Sequence, residues 1–236
     1  FVRWGLSDPE GGGDVFEPAR AVRHGIECVA AVREALGDQI DILVDVHTRL
    51  DPPASIEFCK GVEPYRPFFI EDPLRSEYPS SLRLLRQRTS TPIAIGEHFT
   101  SKWEFRQPIE EDLMDYCRLD VSVVGGLTEA RKVAAWCETH YIALAPHNPY
   151  GPGVTAATLH LCLASPNVGV MELASPPGTV LTDIIPVQVP FADGHLLVPD
   201  RPGLGIELNE EAALAASGEP SNGIGYYRQD GAYTNW

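Results

Sequence analysis

Basic residues are scarce in this chain. Lys and Arg total 18 against 33 Asp and Glu, a formal net charge of −15 over 236 residues. Nucleic-acid phosphates and anionic membrane surfaces both demand basic patches, so neither is an expected partner. No apolar run approaches the ~20 residues that a membrane span needs. No cationic stretch leading into an apolar one marks a secretory signal. An initiator Met is missing too: the opening FVRWG runs directly into an apolar segment and reads as the interior of a longer chain. None of the five cysteines, Cys28, Cys59, Cys117, Cys137 and Cys162, forms a CxxC pair. Reduced core thiols in a cytoplasmic protein are therefore expected rather than a zinc site. Finally, neither GGG at 11–13 nor GG at 125–126 makes the G-x-G-x-x-G phosphate turn. That counts against an open doubly wound sheet, the alternative architecture.

Strand-like apolar segments recur along the chain. They are FVRW at 1–4, ILVDV at 42–46, FFIED at 68–72, PIAIGE at 92–97, YCRLD at 116–120, YIALA at 141–145 and NVGVME at 167–172. Helical patterns separate them. In 18–36, Val22, Ile26, Val29 and Leu36 fall at helical spacing, with Pro18 suited to the first turn and Gly37 to the stop. Residues 125–140 predict another helix, with Thr128 as N-cap. Leu82 and Leu85 mark a third, ended by Pro92. Alternating strands and helices imply parallel strands with right-handed crossovers, and a unit of ~25–30 residues repeated this often predicts a TIM-like α/β barrel.

The strand ends carry chemistry. In DILVDVHTRL, Asp45 and His47 sit two apart, and alternate strand residues share a face. Glu71 follows Asp45 by 26 residues and Glu97 follows Glu71 by 26; Asp120, His147 and Glu172 come at further steps of 23, 27 and 25. One ionisable group thus closes each successive strand, and in a barrel those ends converge on one mouth. Carboxylates gathered there repel unless a cation lies between them. Oxygen-only ligands select a hard ion, so Asp45, Glu71 and Glu97 are the expected Mg2+ ligands. Such an ion would also offset the negative field for an anionic substrate. Asp72 alternates away and reads as a turn residue. His98 also alternates away, yet from a loop it could reach a substrate. Asp120 can hydrogen-bond His147, orienting the ring and raising its basicity. His24, His140, His160 and His195 fall on helices or outer segments.

DVHTR, EPYRPFFIEDP, TPIAIGE, SVVGGLTEARKVA, APHNPYGP and PGLGIEL resemble the enolase superfamily on its mandelate racemase side, covering most of the chain from about residue 20 onward. The likeness is strongest to the acid-sugar dehydratases, galactonate dehydratases above all, while EPYR and GEHFTSKW are also similar to mannonate dehydratases. The resemblance implies a (β/α)7β barrel over 1–184 that lacks an N-terminal α+β capping domain and first strand. Residues 185–236 would form a C-terminal segment packing on that cap or on a neighbouring subunit, reaching away from the barrel or crossing to another chain. It implies Mg2+ at Asp45, Glu71 and Glu97, His147 as a base paired with Asp120, His47 as the acid for a departing hydroxyl, and Glu172 near the substrate. The activity implied is dehydration of a sugar acid to a 2-keto-3-deoxy acid through an enediolate, by a homo-oligomer in the cytoplasm. FVRWG lacks the lysine pair of racemase-type members, which counts against racemisation by a Lys base. Racemase, epimerase or cycloisomerase chemistry and non-catalytic binding are the alternatives.

Overall fold

A computed structural model describes residues 1–11, 13–216 and 225–235, with side chains as far as Tyr233. Its contacts divide the chain into two compact units. The first holds 1–95, 107–116 and 221–236, and the second 96–106 and 117–220. The stretch expected as one C-terminal segment, 185–236, is therefore divided between them, and its residues 217–224 and Trp236 lie outside the described residues.

In the first unit, β1 (Val2–Gly5), β2 (Ile42–Asp45), β3 (Phe69–Glu71) and β4 (Ile93–Ile95) pair in chain order. All three pairings are parallel, with Gly5 opposite Asp45 and Asp45 opposite Glu71. Ile42, Leu43 and Val44 are all buried, as expected of a parallel strand covered on both faces. Crossovers run through α1 (Pro18–Leu36), α2 (Pro52–Val62) and the short α3 (Leu82–Arg86). The bounds of α1 are those its periodicity and its Pro18 and Gly37 signals predict. Val22 and Val29 of α1 and Phe58, Cys59 and Val62 of α2 are buried, and each fully buried apolar side chain contributes about 1.5–3 kcal/mol. Gly25 lets α1 approach closely: an added Cβ would stand 2.5 Å from Leu6 and 2.9 Å from Phe58.

The short α4 (Arg106–Glu110) and the strand β5 (Tyr116–Cys117) each have residues in both units. In the second unit, Ala145 and His147 donate to the carbonyls of Cys117 and Leu119, carrying β6 (Ala143–Leu144) alongside the chain after β5. NVGVME forms only an isolated parallel bridge, Leu144 to Val168, where a seventh strand was expected. Gly169 interrupts that segment, and glycine weakens a strand interior. The helix α5 (Leu127–Thr139) is capped by Gly126 at φ 84°, not by Thr128, which lies inside it. Next comes α6 (Pro152–Leu163), and the chain after Ile185 packs back on it: Val189 is buried with Ala156 and Leu159 of α6, and Leu196, Leu204 and Ile206 pack against them. This stretch includes the hairpin of β7 (Phe191–Ala192) and β8 (His195–Leu196) and leads to α7 (Glu210–Ala215).

The last hairpin, β9 (Tyr226–Tyr227) with β10 (Tyr233–Asn235), belongs to the first unit, where Tyr227 bridges to Val15. The expectation that the tail reaches away from the barrel is therefore corrected for its described residues. Backbone pairing and the Tyr226 ring hold it to the loop before α1. No helix among the described residues is long and apolar enough to cross a membrane. All five cysteines are free, and burial pushes the Cys59 and Cys162 thiols up to about 12.

Candidate active site

The first unit brings two of the three expected metal ligands together. Asp45 and Glu71 are opposite one another across β2 and β3, so their side chains leave the sheet side by side. Arg3 on β1 bridges them, donating from Nε to Glu71 Oε2 at 2.9 Å and from Nη2 to Asp45 Oδ2 at 3.1 Å. Two carboxylates this close need a positive charge, and here a guanidinium supplies it. Arg3 escaped the sequence reading, although it is a cation in an otherwise apolar strand.

His47 reaches the same carboxylate, with Nδ1 3.5 Å from Asp45 Oδ2. The route differs from simple strand alternation. β2 ends at Asp45, and His47 and Thr48 then take left-handed φ of 53° and 58°. Asp72, expected in a turn, is likewise left-handed at φ 38° and is buried; its carbonyl accepts from the Thr48 amide at 2.9 Å.

The second unit gathers the rest. His147 Nδ1 lies 2.8 Å from Asp120 Oδ2. The other carboxylate oxygen, Oδ1, accepts from the Ser122 amide at 2.7 Å and its hydroxyl at 2.6 Å. Burial alone would raise the Asp120 carboxyl, but the hydrogen bonds from His147 and Ser122 outweigh it and hold it below the usual range. An ionised carboxylate only accepts, so His147 Nδ1 carries a proton, and in the neutral tautomer this sets, Nε2 holds the lone pair. Nε2 is 3.6 Å from Glu97 Oε2. Glu97 follows Gly96, whose φ of 130° few residues but glycine adopt, and His98 Nε2 lies 3.4 Å from Glu97 Oε1. His98 thus lies beside Glu97 despite its alternate position.

Arg118 is the second residue the sequence reading missed. Buried two positions before Asp120, it directs Nη2 to Glu172 Oε2 at 2.7 Å and lies 3.6 Å from Glu97 Oε2. Its Nη1 donates to the carbonyls of Ala145 and Pro146, just before His147. The available signal was alternation, since Arg118 and Asp120 share a face. Glu172 Oε2 also accepts from the amide of buried Asn148 at 3.0 Å. The Tyr150 ring meets His147 edge-on, centroids 5.8 Å apart, and burial followed by the neighbouring Asp120 charge pushes its phenol up.

Parallel strands, helical crossovers and ionisable groups after the strand ends define a domain of the α/β-barrel class. Within that class the chain belongs to the family described as Enolase C-terminal domain-like, whose profile matches residues 9–212. It is 38% identical over 203 residues to a D-mannonate dehydratase of Caulobacter sp. (strain K31), covering 85% of this chain and 50% of that protein. It is 35% identical over 231 residues to a D-galactonate dehydratase of Pectobacterium atrosepticum, covering 94% and 60%. Among solved structures, an enolase from Pantoea ananatis with bound D-gluconate and Mg superposes with a TM-score of 0.88 at 35% identity, over 94% of this chain and 54% of that one. The chain thus spans about half the length of the curated relatives it matches.

Proposed function

We propose that the protein of which this chain is part dehydrates a sugar acid, an aldonate of the galactonate type, to a 2-keto-3-deoxy acid in the cytoplasm. The His147–Asp120 pair carries this reading: its ionised carboxylate fixes the tautomer that leaves Nε2 as a base. Dehydratases among the relatives and gluconate with Mg in a related structure support it.

Asp45, Glu71 and Glu97 are assigned as ligands of Mg2+. The donor set fits: all three offer carboxylate oxygens, and two of them already share one cationic partner in Arg3. When bound, the ion supplies positive charge against the substrate carboxylate and makes the α-proton easier to remove. His147 Nε2 accepts that proton while Asp120 stabilises the imidazolium. His47 gives a proton to the departing β-hydroxyl. Glu172, held by Arg118 and the Asn148 amide, orients the sugar hydroxyls, and His98 contributes a further polar contact.

NMR in D2O separates the roles. Wild-type protein with Mg2+ and a panel of aldonates should release water and yield the 2-keto-3-deoxy acid. His147→Ala should lose both dehydration and α-proton exchange, whereas His47→Ala should lose dehydration and keep exchange. Exchange without loss of water in the wild type would overturn the dehydratase reading in favour of proton transfer at one carbon.

A further inference from the structure

We infer that the C-terminal hairpin supplies a positioning residue, Tyr226, which acts through Arg49 on the turn that presents His47. Only the role given to His47 rests on the dehydratase reading; the brace itself stands on geometry. Two successive non-glycine residues, His47 and Thr48, hold left-handed φ. Such a turn persists only where its surroundings over-determine it. Part of the restraint is local. The Thr48 amide donates to Asp72 O at 2.9 Å, and the Arg49 amide to Val46 O at 3.3 Å.

The remainder comes from far along the chain. Arg49 Nη1 donates to Leu6 O at 2.7 Å, and Nη2 to the Tyr226 hydroxyl at 3.0 Å across 177 residues of sequence. Its guanidinium carbon also stands 4.8 Å from the centre of the Tyr226 ring, within cation–π range. Each anchor is itself fixed. Leu6 directly follows β1, and its amide bonds Asp45 O at 2.7 Å. Tyr226 meets Phe16 edge-on, and the next residue exchanges backbone hydrogen bonds with the 14–16 segment: Tyr227 N to Asp14 O at 2.7 Å and Phe16 N to Tyr227 O at 2.8 Å. Arg49 is therefore clamped between the end of a barrel strand and the tail, one residue beyond the strained turn. A side chain held at both ends of its planar fork fixes its own backbone, and here that backbone is the exit from His47.

The test uses Tyr226→Phe, which keeps the ring and removes only the hydroxyl acceptor, and Arg49→Lys, which keeps the charge but not the two-ended fork. Val29→Ala serves as the control, because it destabilises the α1 core without touching the clamp. Amide hydrogen exchange is followed in the segments 46–50 and 42–44. Tyr226→Phe and Arg49→Lys should each speed exchange at Thr48 and Arg49 about fivefold, the effect of losing one net hydrogen bond, and leave 42–44 unchanged. Val29→Ala should lower the melting temperature without changing the ratio of the two segments. Unchanged exchange at 46–50 in Tyr226→Phe, or the same change in the control, overturns the brace.

With Mg2+ and an aldonate, Tyr226→Phe should lower kcat about as much as it speeds local exchange, with KM unchanged. Faster exchange at constant kcat would show that the brace does not position the acid, which overturns the catalytic half of the inference. A wild type without turnover on any aldonate counts against the dehydratase reading alone, since the exchange measurement still decides the brace.

Discussion

His147 and Asp120 form a closed pair: Nδ1 lies 2.8 Å from one carboxylate oxygen, and Ser122 takes up the other through both its amide and its hydroxyl. The carboxylate has no freedom to rotate away from the imidazole. Asp120→Asn keeps the shape but presents either an amide N–H or a weaker neutral acceptor to Nδ1. The expected outcome is a fall in kcat on the order of 10²–10⁴ for the proton-abstraction step, with an unchanged circular dichroism spectrum. A kcat within twofold of wild type would remove His147 from the role of base.

Gly96 sets up Glu97. Its φ is 130°, and a Cβ there would stand 2.7 Å from the buried Phe105 ring. Gly96→Ala should therefore destabilise the protein by about 1–3 kcal/mol, read as a lower denaturation midpoint. Phe105→Leu added to it should recover part of the loss, because it removes the ring atoms in the way while leaving the backbone strain.

At Gly25 two effects compete. Alanine in a helix interior ordinarily gains about 0.5–1 kcal/mol over glycine. Here the new methyl would meet Leu6 at 2.5 Å and Phe58 at 2.9 Å, both buried, and overpacking costs about 1–3 kcal/mol. The clash is expected to win. A melting temperature for Gly25→Ala at or above wild type would show that α1 and α2 can part without loss.

Asp8 gives a pH signature. Burial would raise its carboxyl, but hydrogen bonds from Arg20 and the amides of Glu17 and Glu10 hold it below the usual range. A depressed folded pKa means stabilisation that is fully present above the unfolded value of about 3.9. It is lost as pH falls through the lower folded value. Asp8→Asn should be less stable than wild type at neutral pH, and the gap should close below about pH 4. Urea midpoints at descending pH check this; a gap of constant size would assign the effect to packing.

The sequence was most legible where its period was clean. α1 has its predicted bounds because apolar spacing, Pro18 and Gly37 agree. The strand-end groups were readable because one ionisable residue follows each apolar run after the first, and Asp120 with His147 forms the expected pair. Arg3 and Arg118 were not readable. A cation inside a strand looks like noise until its partner is known, and those partners lie 42 to 68 residues away from Arg3 and 21 to 54 from Arg118. The left-handed turn at His47 and Thr48 was hidden because no glycine announces it. The fold-back of Tyr226 was hidden because tertiary contacts, not local propensity, hold the tail. Thr128 made a sound N-cap by residue type, yet the helix starts earlier because Gly126 reaches φ 84° without strain.

Arg3 has a consequence for the order of assembly. Many small metal-binding domains fold only when the ion arrives, and chelators unfold them. In this chain Asp45 and Glu71 share an internal counterion from the neighbouring strand. Arg3 keeps its charge at any physiological pH. Folding therefore need not wait for a divalent ion, and under the proposed ligand assignment loading would be a later exchange of one cation for another. Chelator-treated protein should stay folded and remain competent to be recharged.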